Sequence, residues 1–148
     1  MITESLSKYF QSSLDQLAEE IKLYKDEAAL WQVKDGITNS GGNLCLHITG
    51  GLQHFIGAML GESGYMRNRD AEFSLKNIPR QKLLEQIETA KAIVVDTVEQ
   101  LSKNELQKDF PTQLKGETVS TEYFVLHLAG HLNYHLGQIN YIRRILEA

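Results

Sequence analysis

Residues 120–146, STEYFVLHLAGHLNYHLGQINYIRRIL, decide the architecture of this chain. Phe124, His127, Leu128, His131, His135, Ile139 and Ile142 recur at steps of three and four, which puts them on one face of a single long helix. That face is the expected core face. It carries three of the chain's five histidines, spaced by four, so that consecutive members stand one turn apart. A helix of this length with such a face needs partners of similar length to cover it.

The partners are legible upstream. From Thr3 to Tyr24, Leu6, Tyr9, Phe10, Leu14, Leu17, Ile21 and Tyr24 form one stripe, with Glu19, Glu20, Lys22 and Lys25 mostly off it. A second helix starts at Asn39 or Ser40, both good N-caps, and runs through Leu44, His47, Ile48, Leu52, Phe55, Ile56 and Met59 to about Gly61. It holds Gly41, Gly42, Gly50, Gly51 and Gly57. Each interior glycine costs a helix roughly 0.5–1 kcal/mol relative to alanine. The glycines are therefore expected to admit a close neighbour or to leave room for a pocket. Pro79 marks the start of a third helix, with Leu83, Leu84, Ile87, Ala90, Val94, Val98 and Leu101 inward. Residues 61–78 and 109–116 read as connections. No convincing strand alternation, internal repeat or low-complexity tract appears. The expected fold is all-α: one domain over residues 1–148, a four-helix bundle with longer loops after helices 2 and 3.

Composition sets bounds on function. With 148 residues the chain is long enough to bury a real core, and 42% apolar with 23% charged residues is ordinary globular usage. A net charge of −4 without a basic stripe argues against nucleic acid, whose binding rests on neutralising phosphates. No run approaches the length of a membrane span, and the polar, amphipathic start lacks a signal-peptide pattern. Cys45 is the only cysteine and cannot form an internal disulfide. A reducing cytoplasm is the expected location.

A histidine pair at i and i+4 is a natural two-point chelate, because both rings can aim at one spot beside the helix. Spacing alone does not separate the His127–His131 pair from the His131–His135 pair. A third ligand must come from another helix. His47, mid-helix on the second apolar stripe, is placed for that role. Three neutral imidazoles leave a coordination position open, which suits catalytic zinc and, with more waters, nickel or iron. Zinc and nickel are the first expectations. His54, seven residues after His47, shares its face two turns on and is an alternative ligand, a pocket residue or a solvent-facing helix end.

The motifs HLNYHLGQI at 131–139 and NSGGNLCLHI at 39–48 resemble the DinB-like (DinB/YfiT) superfamily of bacterial four-helix metalloproteins, and helix order and length agree along nearly the whole chain. The loop phrase RNRDAEF at 67–73 resembles one subfamily of it whose function is not well established. The resemblance implies a divalent metal held by His47, His131 and His135, with His127 in addition to the pattern. It also implies a metal enzyme acting on a small molecule, with a low-molecular-weight thiol as cosubstrate, and a homodimer. The superfamily includes bacillithiol S-transferases, mycothiol-dependent isomerases and metal-dependent hydrolases.

The chemistry expected is Lewis-acid activation of a thiol or water. Gln138 shares the face of His131 and His135, and either orients water or substrate or bonds a neighbouring helix. Tyr134 is a pocket acid or, more commonly for such a residue, packs in the core with its hydroxyl at the edge. Arg67 and Arg69 either clamp a substrate carboxylate or form loop ion pairs with Asp70 or Glu72. Cys45 is a small buried filler, about 200° around the helix from His47. No general base is evident, and neither Glu-x-x-His nor His-Glu-x-x-His occurs, which removes the carboxylate-bridged di-iron and zinc-protease patterns. Two rivals stand beside the enzyme: a non-enzymatic, stress-associated metal- or ligand-binding module, and a purely structural bundle with hydrogen-bonded core histidines.

Overall fold

A computed structural model describes residues 1–148. Six α-helices follow in order: α1 (Ile2–Leu23), α2 (Gly41–Leu52), α3 (Arg69–Ser74), α4 (Arg80–Glu99), α5 (Lys103–Gln107) and α6 (Thr121–Leu146). A short 3₁₀ turn, Glu27–Trp31, follows α1, and α2 continues into a π-helical segment, Gln53–Ala58. The four long elements form the bundle. α1 packs against α4 and α6, and α2 packs against the same two helices while barely meeting α1. The pair α1 and α2 therefore makes one diagonal, and α4 and α6 the other. No helix is long and apolar enough to cross a membrane.

One hydrophobic cluster fills the centre. Phe10, Leu14 and Ile21 of α1, Leu44 and Ile48 of α2, Leu83, Ile87 and Val94 of α4, and Phe124, Leu132 and Ile139 of α6 are all buried in it. Side-chain caps fix the entries: Ser40 accepts from the Asn43 amide and Ser120 from the Tyr123 amide. Ser102 and Glu105 close a reciprocal capping box on α5.

Several expectations are corrected. Tyr9 points to solvent. The stretch 61–78 is not loop throughout, because Asn68 caps the short helix α3. The short helix α5 precedes the 109–116 connection and adds to the expected elements; the connection itself is non-helical and is tightened by Phe110 N–H donating to Val119 O at 2.9 Å. On α6 the core also takes Val125, Ala129, Leu132 and Leu136, because α1 covers one side of this helix and α2 another. The histidines thus lie beside the core and not at its centre; His127, His131 and His135 are all half-buried.

Candidate metal centre

The site is built where α6 faces α2. His47 comes from α2 and is buried; His131 and His135 come one turn apart from α6. One ligating atom from each of the three lies within 4.8 Å of the others. The His47 ring stands edge-on to both partners, with centroids 5.2 Å from His131 and 5.1 Å from His135. His131 Nε2 and His135 Nε2 are 3.0 Å apart. Two imidazole nitrogens sharing one ion through bonds of about 2.0–2.1 Å stand about 3.3 Å apart at tetrahedral angles and about 2.9 Å apart at octahedral ones. The observed spacing falls between these.

The far side of two rings is occupied in the way that leaves Nε2 bare. Glu72 accepts from His47 Nδ1 at 3.1 Å, and Gln138 Oε1 accepts from His135 Nδ1 at 2.7 Å. Metal-ligating histidines characteristically donate their second ring N–H in this manner, which fixes tautomer and ring angle. The residues present fit a divalent ion.

Glu72 is the residue that sequence reasoning missed. Its carboxylate is buried and takes two parallel bonds from Arg67, Nε at 2.8 Å and Nη2 at 2.9 Å, in addition to the His47 bond. Burial alone would raise its pKa; the bonds from His47 and Arg67 outweigh burial and hold it below the usual carboxylate range. The berth for this pair is cut into α2. Asn43, His47, Gly50 and Gly51 share one stripe of that helix. Asn43 Nδ2 donates to the backbone carbonyls of Glu72 and Leu75 at 2.9 and 2.8 Å, which docks α3 on α2. A Cβ on Gly50 would strike the Glu72 carboxyl group, whose Cδ would lie only 2.8 Å away. On Gly51 it would touch Arg67 Nη2 at 3.4 Å. The glycines of α2 therefore admit a close neighbour, as their cost in helix stability implied.

Electrostatics keep the α6 pair neutral. Burial, then the neighbouring His135, His47, His127 and Arg67, hold the His131 pKa down at about 4. Burial also lowers the His135 pKa, against the opposing effect of its Gln138 bond. Both rings are thus in the ligating form at neutral pH.

The remaining sequence candidates separate. His127 lies outside the three-ring cluster; its ring is 6.2 Å from that of His131 and it lines the adjoining cavity. His54 is not brought to the cluster. Seven residues carry it about 10 Å along the helix from His47, and its ring packs edge-on against Phe55 at 4.8 Å. Burial, then Arg67, lower its pKa. Tyr134 is exposed and not packed in the core, its ring edge-on to that of His135 with centroids 5.2 Å apart. Gln138 bonds neither a neighbouring helix nor, in this structure, anything but His135. Arg67 takes the loop ion-pair role with Glu72; Arg69 takes none and lies over the Phe73 ring at 5.2 Å. Cys45 is a buried filler, its thiol pushed up to about 12 by burial.

Two hollows reach the histidines from different sides. One, of about 250 Å³, is lined by His47, His127 and His131 with Arg67, Arg69 and an apolar floor that includes Phe55 and Phe124. The other, of about 430 Å³, reaches His135, Gln138, Tyr134 and Tyr141.

Comparison with known proteins agrees with the fold. The profile of a family described as "Protein of unknown function (DUF1572)" matches residues 3–148. Among solved structures the chain is similar to a DinB-like protein from Bacillus cereus ATCC 10987, with a TM-score of 0.73 at 13% identity, covering 97% of this chain and 92% of that one. At that identity the likeness concerns the fold, which is DinB-like. No curated protein matches the chain.

Proposed function

We propose that this chain, which belongs to the DUF1572 family and carries the DinB-like fold, binds one divalent metal ion on His47, His131 and His135 and uses it on a small molecule. The observation that carries the reading is the convergence of three imidazoles of which two are held by Glu72 and Gln138. Zinc or nickel suits this all-nitrogen donor set. Lewis-acid activation of a thiol or of water is the chemistry such an ion supplies when bound, which makes an S-transferase or a hydrolase the reaction class. The chain's own residues do the rest. Glu72 and Gln138 hold two rings in the ligating tautomer, Phe55 and Phe124 offer an apolar wall to a substrate, and the buried side of α2 keeps water from behind His47.

A non-enzymatic metal- or ligand-binding module is favoured by one observation. No carboxylate lines the hollow beside His47 and His131, so no acidic side chain there is free to take a proton. Two experiments decide. Elemental mass spectrometry of untagged protein, purified without chelator, should give close to one divalent ion per chain, lost in His47→Ala and His131→Ala. No metal after reconstitution with zinc, nickel and iron(II) would return the histidines to a structural role. For a metal-loaded protein, turnover of electrophiles in a panel of low-molecular-weight thiols separates the enzyme from the binding module.

The same reading includes a homodimer in the cytoplasm. Tyr123, Leu126, Tyr134, Tyr141 and Ile145 are large, apolar and exposed along one side of α6. Their positions are nearly symmetric about Tyr134, so an antiparallel second copy would match the stripe to itself and bring Glu122 opposite Arg144, neither of which has an ion-pair partner within the chain. Sedimentation of Tyr134→Lys against the native protein tests this. A native monomer at all concentrations would refute it.

A further inference from the structure

Beside His47 and His131 the hollow carries a charge imbalance that the histidine cluster does not explain. Its lining holds Arg67, Arg69, His47, His127 and His131 and no Asp or Glu. Arg67 is neutralised, since its guanidinium is spent on the buried Glu72. Arg69 is not. It makes no ion pair and no hydrogen bond, and it is exposed. Its guanidinium rests on the face of Phe73, and the Phe73 ring in turn packs 4.8 Å from that of His47. An unpaired cation thus lines the hollow, one ring removed from His47. A divalent ion on the three histidines would add two further positive charges to the same space. The same lining includes the apolar side chains of Phe55, Phe124, Leu52 and Leu128.

A small organic carboxylate with an apolar body satisfies both halves. Its head meets Arg69, whose fork of N–H donors matches a carboxylate, and its body covers the apolar wall. An amine would be repelled, and a neutral isostere would leave Arg69 unmatched. The volume, at the small end for ligand sites, favours a compact molecule. From this we infer that the substrate class of the site is a compact, apolar monocarboxylate whose charged end is selected by Arg69. The inference rests on the metal reading for its chemistry, though not for its recognition of charge.

Two matched sets of probes test it: hexanoate, hexanamide and hexylamine, and phenylacetate with its amide and amine. Binding is followed by calorimetry and by NMR shift mapping, on zinc-reconstituted and on chelator-stripped protein. Either carboxylate should bind and shift the signals of Arg69 and Phe124, while its amide binds at least about tenfold more weakly and its amine not at all. Arg69→Gln should cut carboxylate affinity about tenfold or more, leave the amide unchanged and leave metal content unchanged. Lys8→Gln, which removes one positive charge from an exposed position on α1, should do neither. Equal binding of carboxylate and amide overturns the inference, as does an unchanged affinity in Arg69→Gln or no carboxylate binding at about 10 mM. Carboxylate binding that vanishes on chelation and ignores Arg69 also overturns it, since the metal alone would then be the anchor. A protein that takes up no metal yet binds carboxylates through Arg69 would sink the metal reading and leave this one standing.

Discussion

The two halves of the histidine cluster are built in opposite ways. The α2 half is rigid and buried. His47 is held by Glu72, Glu72 by two bonds from Arg67, α3 by Asn43, and the whole stack fits because Gly50 and Gly51 lack side chains. The α6 half is open. His131 and His135 are half-buried, reach separate hollows, and have only Gln138 and each other as close polar partners. A buried carboxylate at His47 needs an elaborate setting because its charge costs several kcal/mol to desolvate unless it is paired and bonded. The α6 pair needs none, since neutral imidazoles at the edge of the core carry little such penalty. The α2 half thus fixes its ring by bonds, while α6 carries an adjacent pair of imidazoles open to the two hollows.

The strongest way to break this contrast is Gly50→Ala. On an ordinary helix the change would gain up to about 1 kcal/mol. Here the new methyl displaces the Glu72 carboxylate. The expected result is a net loss of roughly 2–3 kcal/mol, from overpacking and a disrupted buried ion pair, with zinc affinity down about 100-fold. Thermal denaturation and competitive zinc titration read both. A more stable protein with native affinity would mean that Glu72 is not locked against α2.

Glu72→Gln sharpens it at nearly constant volume. The amide still accepts from His47 but no longer balances Arg67. Zinc affinity should fall about 10–100-fold. Gln138→Ala removes the corresponding support on α6, where a neutral bond at a half-exposed ring is at stake, and should cost less than about tenfold. If the two variants prove equal, or their order is reversed, the asymmetry between the halves is wrong.

The open half was the more legible in sequence. Four-residue spacing on a long helix needs no tertiary knowledge, and the four long elements announce themselves by apolar stripes such as Leu83–Ile87–Val94–Val98. The locked half was illegible for a definite reason. α3 is six residues long, too short for periodicity to register, and it is held by bonds from Asn43, about 30 residues upstream. Nothing in RNRDAEF distinguishes the buried Glu72 from the exposed Asp70. The one available signal was indirect. A buried His47 asks for an acceptor, and the glycines at the third and fourth positions after it mark where that acceptor lies. His54 misses the cluster for a simpler reason: seven residues carry it about 10 Å along the helix from His47.

Acid offers the gentlest probe of the open half, on chelator-stripped protein. Burial, with His135 and His47 as neighbours, holds the His131 pKa at about 4 in the fold, against 6.5 for an ordinary histidine. Between those values the unfolded chain binds the proton and the native chain does not. Stability from this group is therefore fully present above about pH 6.5 and is lost as pH falls toward 4. Because the ring is half-exposed, solvent screening reduces the effect to roughly 1–2 kcal/mol, or a few degrees in melting temperature. His131→Gln should reduce that part of the pH profile, leaving the share of His135 and His54, whose pKa values burial also lowers, and the decline that Glu72 contributes. Its carboxylate, held low by His47 and Arg67, supports the fold above the ordinary carboxylate range and loses that support only at more acid pH. Two separable declines, the upper one reduced by His131→Gln and the lower one removed by Glu72→Gln, would show the two halves titrating as independently as they are built. A single decline abolished by either variant would mean that they behave as one unit.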